Sequence, residues 1–276
     1  MKLSVIILAR TISDALFKMT SDCINTLRDS EKSLDIEVIL VESNKQYHTS
    51  GFAYPNDVKV IIPEAAFNFH KFLNIGLHAA TGEYIAFCNN DLIFYDHWFT
   101  EILKVADQHP KIKSFSPNGN FTTNFISDFQ TGYKVRTHVF GWCFVAKRSV
   151  FNTIGDLDET FDFNYADNDY AMTLKKYNIR HAVVYHSKVK HLDPKEANID
   201  KGDWYKIQQE KAAKSIKELP GYVAGANAFT DKKSLQDHLK FHAKWGSPKK
   251  LYRKNKIADL FIKFHLGLFN RWVMVV

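Results

Sequence analysis

Two short acidic clusters and a few residues near them are the parts of this chain best placed to do chemistry. The first cluster, Asn89-Asn90-Asp91, closes an apolar run from Tyr84 to Cys88. The second, Asp167-Asn168-Asp169, opens a segment of helical pattern. A third carboxylate, Glu42, ends the apolar run VILVE. Carboxylates can hold a hard cation through oxygen or take a proton from a hydroxyl. At the C-terminal edge of a strand in an alternating α/β chain they stand where such sheets bind ligands. Plain structure also suits them: Asn and Asp end strands in turns, and acidic residues at a helix start cap it and favour its dipole.

The elements that must position these residues follow from hydrophobic period. Strand-like runs fall at 3–9, 36–42, 58–62 and 83–88, with helical patterns at about 14–29 and 68–80 between them. A helix is expected after Asp96, with Trp98, Ile102 and Val105 at helical spacing. Then come SFSPNG, a turn-rich stretch to about 135, and a strand-like HVFGWCFVAKR. The second acidic cluster leads a helix at about 167–178 and a strand at 181–186. Strand–helix alternation at this spacing argues for a mostly parallel α/β sheet flanked by helices. Beyond about residue 200 the pattern is helical and basic, broken at Pro220-Gly221 and at Gly246-Ser247-Pro248.

Composition narrows the class. With 276 residues, 45% of them hydrophobic and 24% charged, the chain is an ordinary globular one. The opening MKLSVIILAR is too short an apolar run for a signal peptide and reads as a first buried strand. No stretch has the roughly 20 apolar residues of a membrane span. Cys23, Cys88 and Cys143 form no C-x-x-C pair and read as reduced core thiols of a cytosolic protein. Charge is segregated. From His186 onward there are 19 Lys+Arg against 9 Asp+Glu, while the first 185 residues carry a net −3. Such a basic tail points to an anionic partner: a nucleic acid, an acidic membrane surface or an anionic glycan.

The stretch FNFHKFLNIGLHAATGEYIAFCNND, with Asn74, Gly76, Gly82-Glu83-Tyr84 and Asn89-Asn90-Asp91 in register, resembles the nucleotide-binding half of family 2 glycosyltransferases. The run Gly155-Asp156-Leu157-Asp158-Glu159 to Asp167-Asn168-Asp169 resembles the same family's acceptor-side segment. Phe241, Lys244, Trp245 and Gly246 resemble a run near the end of many family 2 domains. The resemblance implies a single glycosyltransferase A-type domain over residues 1–200, with a basic helical extension over 201–276. It implies transfer of a hexosyl or pentosyl group, with inversion, from a UDP- or dTDP-linked sugar to an acceptor hydroxyl.

Roles carry over residue by residue. Asp91 is expected to hold Mn²⁺ or Mg²⁺ against the diphosphate, with His191 as a second ligand in the context Val189-Lys190-His191 and His186 as a competing candidate. An imidazole ligand would favour Mn²⁺. The family often has D-x-D where this chain has Asn89, whose amide is expected on ribose or phosphate beside Asn74 and Asn90. Glu42 stands where an Asp usually meets the base or ribose. Leu8-Ala9-Arg10-Thr11 stands in place of the family's Pro-x-x-Asn, and Arg10 is expected to reach a phosphate or stack on the base. Asp167 is expected to be the general base, with Asp169 the fallback, and Ala166 replaces the family's Glu. Trp142 is placed near the acceptor, where it would stack on a ring or belong to the core.

The acceptor is expected to be anionic: a surface or membrane-associated glycan, or a hydroxymethylated base in DNA. The enzyme is expected in the cytoplasm, with peripheral membrane association open. A non-catalytic nucleotide-sugar-binding or scaffold protein is the alternative, kept by Leu8, Asn89 and Ala166. The tail's apolar stripe, Leu260, Phe261, Phe264, Leu268 and Trp272, is expected to pack on the catalytic domain and leave its lysines solvated.

Overall fold

The computed structural model describes residues 2–119, 126–193 and 232–275. Strands β1 (Lys2–Ala9), β2 (Asp35–Glu42), β3 (Val58–Ile61) and β4 (Tyr84–Asn89) run parallel in the order β3-β2-β1-β4. Helix α1 (Asp14–Ser30) links β1 to β2, and α2 (Phe69–Ala79) links β3 to β4. Each starts at a polar cap. Ser13 Oγ accepts from the Leu16 amide, and the Asn68 side chain accepts from the Lys71 amide at 2.9 Å.

Past β4 the sheet turns mixed. Strand β8 (Cys143–Lys147) lies antiparallel between β4 and β6 (Ile112–Asn118), and β6 runs parallel to β9 (Arg180–His191). Two short strands, β5 (Leu92–Phe94) and β7 (Phe129–Thr131), pair antiparallel with β9. Helix α3 (Trp98–Gln108) follows β5, the single turn α4 (Phe151–Ile154) follows β8, and α5 (Ala166–Lys176) precedes β9. The helices α6 (Lys232–Trp245), α7 (Pro248–Lys263) and α8 (Asn270–Val273) complete the described chain.

Both faces of β1 are covered, which is why residues 5–9 read as an unbroken apolar run. Val5 and Ile7 face a core with Ile24 and Leu27 of α1 and Trp98 and Ile102 of α3. Ile6 and Leu8 face a second core with Phe72 of α2, Tyr170 of α5 and Trp245 of α6. All three cysteines are buried free thiols. Cys88 and Cys143, distant in sequence, are cross-strand neighbours with sulfurs 3.7 Å apart. Burial raises the thiol pKa of Cys23 and Cys88 well above the ordinary range, so they stay protonated and unreactive.

Three expectations need correction. SFSPN is not loop but most of β6. Pro117 is tolerated because β8 pairs only with Ser114 and Phe115, so the missing amide breaks no bond on that side. β9 extends to His191 instead of ending near 186, its polar second half being held by β5. Last, Leu260, Phe264, Leu268 and Trp272 do not pack inward; they are 52, 60, 73 and 74% exposed. Ala258, Gly267, Asn270 and Met274 face the domain instead. The physical reason is the buried Lys175 at the end of α5. Asp259 (2.7 Å) and Asn255 (2.8 Å) of α7 hold its ammonium, and Asn270 caps its carbonyl at 3.0 Å, so α7 and α8 dock by their polar and small side. The expected break at 246–248 is present, with Gly246 at φ 102° and Pro248 opening α7. The expected boundary at 200 and the break at Pro220-Gly221 lie outside the described residues.

Candidate active site

The turn after β4 brings distant elements together. The Asn89 amide donates to the Trp142 carbonyl (2.9 Å), and the Asn90 side chain donates to Thr20 Oγ1 of α1 (2.8 Å). The Leu192 amide donates to the Asp91 carbonyl at 2.9 Å, so the end of β9 lies against the motif. There His191 Nε2 comes within 3.2 Å of Asp91 Oδ1. That oxygen is buried and has no hydrogen-bond partner among the described residues, although the ring nitrogen is close. The indole of Trp142 stacks on His191, with centroids 5.5 Å apart and planes within 4°.

An unsatisfied carboxylate oxygen beside an imidazole nitrogen fits a divalent cation of the Mn²⁺ type. No third His, Cys, Asp or Glu completes a cluster among the described residues. Oxygens of a bound ligand and water would have to fill the remaining positions. His186, the competing candidate, pairs with Asp128 at 3.3 Å.

The second acidic cluster approaches from α5. Tyr165, at its N-terminus, has φ 62° and ψ 1°, a left-handed backbone uncommon for an aromatic residue. Its hydroxyl meets His238 Nδ1 of α6 at 2.8 Å, which helps hold it there. Asp167 follows on the first turn. The Asn168 amide (2.8 Å) and side chain (3.0 Å) both donate to its Oδ1. Its Oδ2 lies over Gly141, where an added Cβ would sit 3.1 Å away and only 2.9 Å from the Asp167 Cβ. Gly119 makes similar room for the Trp142 ring, which its Cβ would meet at 2.3 Å. Asp91, His191, Trp142, Gly141 and Asp167 therefore form one continuous line drawn from the ends of β4, β9, β8 and α5. Sequence reasoning missed Tyr165 and Gly119, and nothing local marks either.

Other candidates sit differently. Asp169 is 2% exposed; its Oδ1 accepts from Trp245 Nε1 (2.7 Å) and meets Lys244 Nζ (2.7 Å). Burial raises its pKa against the pull of Lys244 and Trp245. Lys244 also reaches Asp158 at 2.6 Å, and there burial is outweighed by hydrogen bonds from Lys244 and Thr160 that bring the carboxyl down to about 2. Asp169 is thus occupied in fastening α6. Asn74 is buried: it accepts from the Leu157 amide and donates to the Leu157 carbonyl, both at 2.9 Å, with Glu159 Oε1 at 3.1 Å. Its amide is used in joining α2 to the 157–159 loop, not turned to a donor.

Glu42 is fully buried, and its carboxylate accepts from the Thr11 amide (3.0 Å), Thr11 Oγ1 (2.7 Å) and the Asn44 amide (2.7 Å). It joins the ends of β1 and β2, with no acceptor turned toward a base or ribose. Arg10 is exposed at the end of β1, and Asn89 is half-buried with its side chain free of the turn's hydrogen bonds. A cavity of about 790 Å³ opens beside Asn168, between the 131–138 segment, α5 and α7, with Lys134 and Arg180 in its wall.

Comparison with known proteins agrees with this architecture. The model of Glycosyl transferase family 2 matches residues 4–157. No curated protein matches the sequence. Among solved structures, S. aureus TarS 1-349 in complex with UDP-GlcNAc is 16% identical at a TM-score of 0.51, covering 88% of this chain and 73% of that one. The mannosyltransferase PcManGT from Pyrobaculum calidifontis, in complex with GDP-Man and Mn²⁺, is 14% identical at 0.52, covering 99% and 84%. GalNAc-T7 with UDP, GalNAc and Mn²⁺ is 13% identical at 0.52, covering 86% and 54%. At these identities the likeness is one of fold, the glycosyltransferase A fold. With more than half its length matched and that fold observed, the chain belongs to glycosyltransferase family 2.

Proposed function

We propose that the chain transfers a hexosyl or pentosyl group from a nucleoside diphosphate sugar to an acceptor hydroxyl, with inversion. The observation that carries this reading is the continuous line from the unsatisfied Asp91 oxygen through His191, Trp142 and Gly141 to Asp167. Asp91 and His191 would hold Mn²⁺ or Mg²⁺, which when bound supplies positive charge against a departing diphosphate. Asn89, beside them, would bind ribose or phosphate through its amide, and Arg10, exposed just after β1, would meet the nucleotide. Asp167 takes the acceptor's proton. Its Oδ1 is tied down by Asn168, so Oδ2 over Gly141 is the basic oxygen. The acceptor oxygen then bonds to the anomeric carbon from the side opposite the leaving diphosphate, and the bond from that carbon to the diphosphate breaks. Trp142, already stacked on His191, offers a flat wall for a sugar ring.

Support for nucleotide-sugar use comes from neighbours of the same fold that carry UDP-GlcNAc or GDP-Man. A UDP- or dTDP-linked donor is the choice here, and two neighbours, PcManGT and GalNAc-T7, were seen with Mn²⁺. The acceptor is read as anionic, because Lys134 and Arg180 line the cavity beside Asn168, with a membrane-associated glycan as the first reading. A hydroxymethylated base in DNA is the second reading, favoured only by the same positive charge. The test is release of nucleoside diphosphate from a panel of nucleotide sugars with Mn²⁺, Mg²⁺ or EDTA. Metal-dependent release supports transfer, and none from any donor would favour a binding or scaffold protein.

A further inference from the structure

We infer that α7 and α8 form a docking surface for an anionic lipid bilayer. This goes beyond the reading of the groove and does not depend on it. The segment 249–276 holds seven Lys and Arg against one acidic residue, Asp259. That one acid is exposed but already paired with the buried Lys175 at 2.7 Å, so the segment's own lysines and arginines remain in excess. On α7, Arg253, Ile257, Leu260 and Phe264 recur at spacings of three and four, and all are exposed. Lys249, Lys256 and Lys263 are exposed along the same side. Phe264, Leu266, Leu268, Phe269 and Trp272 continue the apolar strip past the end of the helix, each at least 40% exposed.

The outward direction of this strip is fixed by the fold. Asn270 and Met274 are buried toward the domain, and Arg271 lies 5.0 Å above the Tyr177 ring. Lys254 donates to the Val275 carbonyl, fastening the end of the chain back on α7. Phe261, Phe269 and Trp272 pack on one another as a small aromatic wedge, with centroids 5.8 and 5.2 Å apart. The result is a rigid surface of aromatic and branched apolar side chains flanked by lysines.

Charge and shape together select the partner. Lysines alone would suit any polyanion, but duplex DNA gives Leu260, Leu268 and Trp272 nothing apolar to enter. A second copy of the chain would bring the same positive charge against itself. An anionic bilayer answers both features: headgroups meet the lysines, and the boundary with the acyl chains takes the apolar side chains. Trp suits that depth, having an apolar body and one polar N–H. Among the described residues no helix is long and apolar enough to cross a membrane, so the contact would be peripheral.

The test is co-sedimentation of the full chain with vesicles of phosphatidylcholine alone or with about 30% phosphatidylglycerol. Binding to the mixed vesicles is expected to be at least about tenfold tighter, with a blue shift in emission that Trp272→Phe removes without abolishing binding. Phe264→Ser with Trp272→Ser should weaken it about tenfold or more at unchanged melting temperature, since both side chains are exposed. Replacing Lys249, Lys250, Arg253 and Lys256 by Gln should weaken binding and flatten its salt dependence. Four results would overturn the inference: no vesicle binding; vesicle binding indifferent to the apolar pair; tighter binding to duplex DNA that only the charge variant affects; or self-association that buries Trp272 without vesicles.

Discussion

Glu42 ends β2 and Asp91 lies in the turn just after β4, the two strands that flank β1 in one sheet, yet their surroundings are opposite. Glu42 receives hydrogen bonds from Thr11 and Asn44 and is fully buried. Asp91 keeps a buried oxygen with no hydrogen bond, facing a histidine. The pair Asp167 and Asp169 repeats the contrast within one turn of α5. Asp169 is held by Trp245 and Lys244, while Asp167 turns one oxygen over a glycine. The difference teaches that strand-end or helix-start position does not make a reactive carboxylate. What separates the two kinds is unused acceptor capacity, because a fully satisfied carboxylate has nothing left to offer a ligand.

The contrast can be broken by mutation. Asp91→Asn should lower transfer about 10⁴-fold with the fold intact, since several kcal/mol of charge stabilisation at the leaving group would be lost. Steady-state kinetics on the purified variant, with a melting curve, checks this. Asp167→Asn should cost about 10³-fold in turnover with donor affinity kept, within the usual range for a general base. Asp169→Asn should instead cost about 1–2 kcal/mol of stability, because Lys244 keeps only Asp158 as an ion-pair partner at the α5–α6 contact. Turnover per folded molecule should stay within about threefold. A dead, stable Asp169→Asn with an active Asp167→Asn would reverse the assignment.

A smaller effect sharpens the account away from the site. His181 is fully buried between Ser114 Oγ (2.8 Å) and the His138 carbonyl (2.9 Å). Burial brings its pKa down from the ordinary 6.5 to about 4. Below the unfolded pKa the unfolded chain takes up a proton that the folded chain refuses. Stability should therefore fall as pH drops from about 6.5 to about 4, by up to about 3 kcal/mol, and be unaffected by this group above 7. Urea unfolding of His181→Gln across that range should show a flatter profile than the parent chain.

Much of the fold was legible because strong local signals agreed with it. The double-buried runs of β1, β2 and β4 and the helical periods at about 14–29 and 68–80 marked their elements within a residue or two. Pro117 hid β6, and the polar alternation after His186 hid the second half of β9. The order of acidic motifs led to Asp91, Asp167 and His191, and the structure does bring Asp91 and His191 together. What stayed hidden depends on distant partners. Asn74 is used by Leu157, 83 positions away, and Glu42 by Thr11, 31 away. A helical period likewise shows that α7 has an apolar side without saying which way it faces. That direction was set by Lys175, whose partners Asn255 and Asp259 are 80 residues or more downstream.

The most direct test of the difference between the two strand ends is a titration of Mn²⁺ and nucleotide sugar, followed by melting temperature, in Asp91→Asn and Glu42→Gln side by side. Glu42→Gln should start from a lower melting temperature, having lost about 1–3 kcal/mol where Thr11 and Asn44 need an acceptor. It should still rise when Mn²⁺ and the donor are added together. Asp91→Asn should start near the parent temperature and show no metal-dependent rise. A full Mn²⁺ response in Asp91→Asn, or its loss in Glu42→Gln alone, would contradict the account.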